Sequence, residues 1–310
     1  MELQHTLIRP IQFSGIGLHT GLMANVVIKP APDNFGIQFC RTDINPTLFI
    51  PAKTCNVSNT NRSTTLKKYD IEVITVEHLL SAFYALGINN ALIEIDNKEI
   101  PILDGSASFY INTIFKDNII ELSLPRKTMT IHDVIEWKDI QTGAEYIFLP
   151  HEDFSVTCLI DFPSKIIKHQ YAVMNDVSEY ALGIAPAKTF CFLHEIEYLY
   201  NNGLIKGGNL NNALVFSEKM LSKEKAAWLS ATFHQPANSI PEMGVLNPLY
   251  QTYDNEAARH KLLDVIGDLA LTQTYFKGKL ITYKPGHKSN CKFAQFLVEN
   301  YIEIPYEQSL

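Results

Sequence analysis

The pattern of apolar and polar residues changes from a strand period to a helix period near residue 75. Short apolar runs such as 24–28, divided by Pro, Asn and Gly, are typical of β-strands and recur before that point. The apolar residues of segment 76–83 then repeat at helical spacing, and Gly87 is a typical helix stop. We therefore predict a helix with Thr75 as its N-cap, followed by a strand at 91–95.

A second patterned region begins after segment 124–127, where a proline and two charges interrupt the apolar runs. The length of 310 residues also suggests two domains, which we place at 1–124 and 128–310. Beyond the boundary we predict strands at 146–149, 154–161 and 280–283, and helices at about 194–202, 255–271 and 289–301. Segment 217–250 yields no assignment. Because helices and strands are grouped and do not strictly alternate, the pattern favours an α+β fold.

Composition narrows the class of protein. The net charge of −7 makes nucleic acid an unexpected main partner, although a few local Lys or Arg residues can still bind phosphate. The five cysteines are scattered and form no C-x-x-C pair, which is typical of reduced thiols in a cytoplasm. The sequence has neither a signal-peptide layout at its start nor an apolar run of the length needed to cross a bilayer. We expect a cytoplasmic protein without an integral membrane segment.

The predicted helix at 255–271 carries a polar stripe that has the chemistry of a metal site. His260, Asp264 and Asp268 are spaced four apart, so that each is offset from the next by about 40° around the helix. A His and an Asp one turn apart can both reach one ion. A solvated helix face explains the same spacing, since polar pairs at i,i+4 are common on helices.

Three other residues have side chains suited to catalysis. Glu77 and His78 open the first predicted helix, where they can flank an ion at the helix end; a Glu favoured by the helix dipole beside a half-buried His is the alternative. His287 follows Gly286 on a predicted loop, and loops often carry functional side chains, although an ordinary loop His is common.

A glycine-rich segment at 15–21 permits close approach of the backbone to another group. Its glycines do not have the G-x-G-x-x-G spacing and no helix follows, so we reject a dinucleotide fingerprint in favour of a hairpin turn or a binding loop. No G-x-S-x-G nucleophile elbow occurs in the chain, which disfavours a serine hydrolase.

Taken together, these segments resemble the UDP-3-O-acyl-N-acetylglucosamine deacetylases of lipid A biosynthesis in Gram-negative bacteria. The resemblance runs in family order from residue 15 to residue 292. The matching motifs are Gly15-Ile16-Gly17-Leu18-His19-Thr20-Gly21, Thr75-Val76-Glu77-His78, Ile100-Pro101-Ile102-Leu103-Asp104-Gly105, Lys188-Thr189-Phe190, Gly207-Gly208-Asn209, Arg259-His260-Lys261 through Asp268, and Gly286-His287.

The resemblance implies a zinc-dependent amide hydrolase. His78, His260 and Asp264 would be the metal ligands, with zinc as the expected ion and ferrous iron as an alternative for a His₂Asp set. Glu77 would be the general base, and His287, oriented by Asp268, the general acid. Thr189 would stabilise the tetrahedral oxyanion. Lys261, Phe190, His19 and Asp104 match substrate-binding positions.

The resemblance also implies the substrate and the fold. The substrate would be a UDP-sugar that carries an acyl chain. The protein itself is expected to be a monomer. The fold would consist of two similar α/β-layer domains packed face to face, each with a small insert. One insert would lie at about 35–67. The second, at about 191–216, would form an apolar passage for the acyl chain, to which we assign Phe192, Leu193, Ile196, Leu199, Leu204, Ile205 and Leu214.

Some features depart from the family pattern. Lys188 stands where the family usually has Arg, and the stretch 217–250 is longer than in common members. The fused dehydratase domain of some relatives is expected to be absent. Two other hypotheses stay open, namely another zinc amidohydrolase or esterase on the same scaffold, and a binding protein that keeps the fold without catalysis.

Overall fold

The structure, a computed structural model, describes residues 2–114, 118–203, 206–233 and 240–302. Its strands and helices, in chain order, are β1 (Leu3–Leu7), β2 (Ile11–Ile16), β3 (Met23–Pro30), β4 (Ile37–Arg41), β5 (Phe49–Pro51), β6 (Val57–Asn59), β7 (Thr65–Lys68), β8 (Ile71–Ile74), α1 (Glu77–Leu86), β9 (Ala91–Ile95), α2 (Ser108–Thr113), β10 (Ile119–Pro125), β11 (Thr128–Thr130), β12 (Ile135–Asp139), β13 (Ala144–Leu149), β14 (Phe154–Asp161), β15 (His169–Met174), α3 (Tyr180–Gly183), β16 (Phe190–Phe192), α4 (Leu193–Asn201), β17 (Leu214–Ser217), α5 (Lys223–Phe233), β18 (Gly244–Val245), α6 (Glu256–Leu269), β19 (Tyr275–Tyr283) and α7 (His287–Asn300).

The two halves of the chain build sheets with the same strand order. The first sheet runs β2-β3-β9-β4-β5 and the second runs β12-β13-β19-β14-β15, with β11 added beside β19. In both sheets the central strand pairs in parallel with one neighbour, β4 or β14, and antiparallel with the other, β3 or β13. In both halves a helix, α1 or α6, immediately precedes that central strand. The helix and strand content confirms the predicted α+β class.

Each half also contains extra elements, which lie between the sheet strand β5 or β15 and the following helix α1 or α6. In the first half these are β6, β7 and β8, which form a separate three-stranded sheet. The range 35–67 predicted for this insert overlaps β6 and β7, and it also includes β4 and β5, which pair within the main sheet. In the second half the added sheet is β16-β17-β18, together with α4 and α5.

The helices α1 and α6 pack against each other, and α6 also packs on β14 and β15. One apolar core joins both sheets and both helices, from Ile28 and Ile93 through Leu79 to Leu263 and Val156. The alternating burial of β3 and β9 shows that their apolar faces meet this core. Residues on the facing sides of α1 and α6 are therefore close in space.

Most of the elements predicted from periodicity are confirmed, with two local corrections. Thr75 is not an N-cap: it has a left-handed φ of 62°, and Val76 takes the N-cap position without a side-chain hydrogen bond. His287 does not lie on a loop, since it is the first residue of α7, whose N-cap is Gly286. Within the described ranges, no helix has the length and apolarity to cross a membrane.

Candidate metal centre

Glu77 and His78 are placed by the turn that leads into α1. The left-handed backbone of Thr75 redirects the chain after β8, and the Thr75 hydroxyl donates to Glu99 Oε1 at 3.2 Å. The Glu99 carboxylate also accepts hydrogen bonds from the backbone N–H groups of His19 and Thr20, at 2.9 and 2.8 Å. Buried Glu99 therefore ties the glycine-rich loop to the start of α1.

The crossing of α1 and α6 brings the two predicted ligand segments together. Gly267 faces the backbone of α1, and a Cβ at that position would lie 2.2 Å from the carbonyl oxygen of Glu77. The absence of a side chain at Gly267 allows this close approach. As a result, His78 lies beside the polar stripe of α6, and its ring centroid is 5.0 Å from that of His260.

His78, His260 and Asp264 form a buried group with the geometry of a metal site. One nitrogen of each imidazole and one carboxylate oxygen all lie within 4.8 Å of one another. His260 Nε2 is 3.5 Å from Asp264 Oδ1, close to the separation of about 3.4 Å that two ligands of one tetrahedral ion at about 2.1 Å require. The other nitrogen of His260, Nδ1, donates to the carbonyl oxygen of Ala187 at 3.0 Å. Because that bond places the proton on Nδ1, the lone pair of Nε2 is free to bind a metal ion between His260, His78 and Asp264.

Two further observations fit a cation between these residues. Asp264 Oδ1 is buried and has no hydrogen-bond partner in the described part of the chain. A buried carboxylate oxygen without a partner is costly, and a metal ion is the kind of ligand that would satisfy it. Burial lowers the pKa of His78 to about 3 and also lowers that of His260, so both rings are neutral, as metal ligands must be. Burial opposes the ionisation of Asp264, but the surrounding positive charges, of which Lys261 contributes most, together outweigh it and lower the carboxyl pKa.

Glu77 and His287 face each other across the entrance to this group. His287 Nε2 lies 3.9 Å from Glu77 Oε1 and 3.7 Å from Asp264 Oδ2, while its Nδ1 donates to Asp268 Oδ2 at 2.9 Å. Burial raises the pKa of Glu77 to about 7. For His287 burial acts in the opposite sense, yet the carboxylates of Asp268 and Asp264 raise its pKa to about 9. The pair thus offers a carboxylate that can accept a proton and an imidazolium that can donate one.

A cavity of about 270 Å³ opens from this group toward the second insert. The predicted residues His19, Thr189, Phe190 and Lys261 all line it. Thr189 immediately precedes β16, and the ring of Phe190 is 6.4 Å from that of His260. The Lys261 ammonium donates to Asp264 Oδ2 at 2.6 Å.

Asp104 and Asp268 do not line the cavity. Asp104 lies outside it and forms an ion pair of 2.9 Å with Lys188, which precedes Thr189. Asp268 is fully buried behind His287, where Asn290 also donates to it at 2.8 Å. Asp268 is therefore positioned to act through His287, whereas Asp104 contacts the segment that precedes Thr189.

The far end of the cavity is apolar. It is lined by Ile196 and Leu199 of α4, as predicted, and also by Leu210, Val215 and Phe233. Of the other residues assigned to the passage, Phe192, Leu193 and Leu214 are not part of the lining, and Leu204 and Ile205 lie outside the described residues.

Sequence reasoning missed Thr64, which lies at the centre of the polar network. Its hydroxyl donates to Asp268 Oδ1 at 2.5 Å, and its backbone N–H donates to Glu77 Oε2 at 3.0 Å. Thr64 reaches the site from the first insert, and nothing in its local sequence distinguishes it from an ordinary loop threonine. Sequence reasoning also missed Glu99, because nothing in its local sequence indicates that it contacts the glycine-rich loop.

Comparison with known proteins agrees with this geometry. The family model described as LpxC, UDP-3-O-acyl N-acetylglycosamine deacetylase, matches residues 4–234 and 234–299, so the match divides at residue 234. The bifunctional enzyme LpxC/FabZ of Bacteroides thetaiotaomicron is 43% identical over 295 residues, which cover 95% of this chain and 64% of that protein. The corresponding bifunctional enzyme of Porphyromonas gingivalis is 40% identical over 297 residues, covering 96% of this chain and 64% of that protein.

The chain is also similar to a relative that is named as a deacetylase alone, without the FabZ part of the bifunctional enzymes. The UDP-3-O-acyl-N-acetylglucosamine deacetylase of Saccharophagus degradans is 38% identical over 295 residues, covering 94% of this chain and 89% of that protein. The chain thus spans just under two thirds of the length of the bifunctional relatives and most of the length of this one. The chain belongs to the family of UDP-3-O-acyl N-acetylglycosamine deacetylases. This is a family of metalloenzymes, in agreement with the His–His–Asp group.

Proposed function

We propose that this member of the deacetylase family hydrolyses the N-acetyl group of UDP-3-O-(3-hydroxyacyl)-N-acetylglucosamine, releasing acetate and the free amine in lipid A biosynthesis. The observation that carries the proposal is the unpartnered, buried Asp264 Oδ1 beside His260 and His78, at the inner end of a cavity whose outer end is apolar. Such a cavity suits a substrate with a polar reacting group and a hydrocarbon chain.

In this proposal His78, His260 and Asp264 hold a zinc ion. When bound, the ion would act as a Lewis acid on the acetamide carbonyl and make water more acidic. The neutral imidazoles and the ionised carboxylate are the forms that this role needs. Ferrous iron suits the same donor set, so the native metal is decided by elemental analysis.

The proton transfers would be divided between Glu77 and His287. With a pKa near 7, the Glu77 carboxylate can take a proton from the attacking water. The His287 imidazolium, held by Asp268, can then donate a proton to the amide nitrogen as the C–N bond breaks. The Thr189 hydroxyl, on the cavity wall, would donate to the developing oxyanion.

The remaining assignments concern the substrate. Phe190 and His19 line the cavity and would contact the sugar, and the Lys261 cation would favour the diphosphate. Asp104, with its carboxylate paired to Lys188, would act at a distance by fixing the segment that carries Thr189. The cytoplasmic location and monomeric state stay predictions, which cell fractionation and sedimentation analysis would test.

Metal analysis and an acetate-release assay on one preparation test the proposal. We expect about one zinc per chain, and acetate release that disappears on chelation and returns with added zinc. A substrate with an O-acetyl ester in place of the amide distinguishes a deacetylase from an esterase. A metal-loaded chain that binds the UDP-sugar but releases no acetate would instead support a binding protein.

A further inference from the structure

A second cavity adjoins the apolar end of the metal-site cavity. It has a volume of about 330 Å³, and its wall includes Ile16 of β2, Tyr200 of α4 and Lys206. In the described part of the chain, three residues line both cavities, namely Gly208, Asn209 and Phe233. These three residues therefore form the partition between the two spaces.

Phe233 supplies the large side chain of this partition. Gly208 has none, and the Asn209 side chain is held within its own turn, where its Oδ1 accepts from the backbone N–H of Asn211 at 2.8 Å. An aromatic ring between two cavities separates them by its volume. Its removal would join them into one longer space.

The position of Phe233 is set by a small core that is separate from the main one. Phe233 is the last residue of α5, whose Leu229 is fully buried in that small core. The Trp228 ring packs edge-on against Phe233 at 6.2 Å and against Tyr200 of α4 at 5.6 Å. These apolar and ring contacts pack α5 against α4, and the Phe233 ring takes part in them through its apolar surface.

We propose that Phe233 is a specificity-determining residue, which ends the acyl passage and so limits the length of the acyl chain. This inference rests on the proposed function, because it takes the first cavity as the acyl passage. Acyl chains that end before Phe233 fit the first cavity, whereas longer acyl chains must displace the Phe233 ring to enter the second cavity. Phe233 is the last residue of α5, in the added elements of the second half of the chain.

The test measures binding as well as turnover, on the full metal-loaded chain. The ligands are the amine products, UDP-3-O-acyl-glucosamines of graded acyl length, titrated calorimetrically into the wild type, Phe233→Ala and Phe233→Trp. Tyr198→Ala is the matched control, because Tyr198 is an exposed aromatic residue of α4 that lines neither cavity. Acetate release from the corresponding acetylated substrates is measured in parallel.

We expect Phe233→Ala to raise the affinity for long chains relative to short ones by about 10-fold or more, since a single methylene in a tight apolar pocket changes discrimination by about 10–200-fold. Phe233→Trp should lower the same ratio, and Tyr198→Ala should leave it unchanged. Because Phe233→Trp keeps a large ring in the small core, it tests the inference even if Phe233→Ala loosens α5.

Equal length preference in the wild type and both Phe233 variants would overturn the inference. A wild type that binds the series but releases no acetate would refute the proposed reaction, while the binding ratios of the variants would still decide the role of Phe233.

Discussion

Replacement of Gly267 by alanine tests whether the crossing of α1 and α6 assembles the site. The added Cβ would lie 2.2 Å from the Glu77 carbonyl oxygen, and Cβ atoms in proteins essentially never come within 3.0 Å of a heavy atom of a residue that is not their neighbour in the chain. The two helices must therefore separate by roughly 1 Å at the point where Glu77 and His78 meet Asp264, and a misplacement of that size costs about 10²-fold in rate.

The effect on stability has two opposing parts. Alanine is favoured over glycine inside a helix by about 1 kcal/mol, whereas overpacking of this kind costs about 1–3 kcal/mol. We therefore expect a net loss of up to about 2 kcal/mol in the free energy of unfolding, together with weaker metal binding.

The assay combines urea unfolding, metal content and kcat/KM for acetate release from the same preparations. Gly183→Ala is the matched control, because a Cβ there would meet only the Arg259 guanidinium, at 3.5 Å. If Gly267→Ala retains full metal content and a kcat/KM within twofold of wild type, the close helix crossing does not set the site geometry and the reasoning is refuted.

Three other substitutions separate the roles within the site. Asp264→Ala should lower metal content and turnover together, and full zinc occupancy with normal turnover would exclude the ligand assignment. Glu77→Gln keeps an acceptor for the Thr64 N–H and should retain the metal while turnover falls by about 10²–10⁴-fold; loss of zinc in elemental analysis would contradict the general-base role. Thr64→Val should cost about 1–3 kcal/mol in urea unfolding, because it removes the hydroxyl that donates to Oδ1 of the buried Asp268 carboxylate, and Thr64→Ser should restore most of that loss; equal stabilities would show that the hydroxyl is dispensable.

Several features of this protein follow from local sequence alone. The apolar period of 76–83 and the stop at Gly87 correspond to α1, which ends at Leu86 with Gly87 in a left-handed conformation. The spacing of His260 and Asp264 places both on one face of α6 because successive residues of any α-helix turn by about 100°. The family resemblance, which rests on short motifs that occur in the order of the family, is confirmed by the match across the chain.

Other features depend on contacts between residues far apart in the chain. His78 joins His260 and Asp264 because Gly267 lets α1 approach α6, and a glycine inside a helical period does not reveal what it will face. Thr64 reaches Asp268 from 204 positions away, and Glu99 reaches the glycine-rich loop from 80 positions away. The two sheets have the same strand order, yet the sequence shows no corresponding repeat. Strand pairing depends on backbone hydrogen bonds, which many different side chains allow.

The sequence by itself determined which side chains share a face of one helix, since that depends on the fixed geometry of the helical backbone. Tertiary structure alone decided which helix faces meet, which residues support the predicted metal ligands, and that Phe233 lines two adjoining cavities. These depend on how the whole chain buries its apolar surface, and a local pattern of residues carries no record of that path.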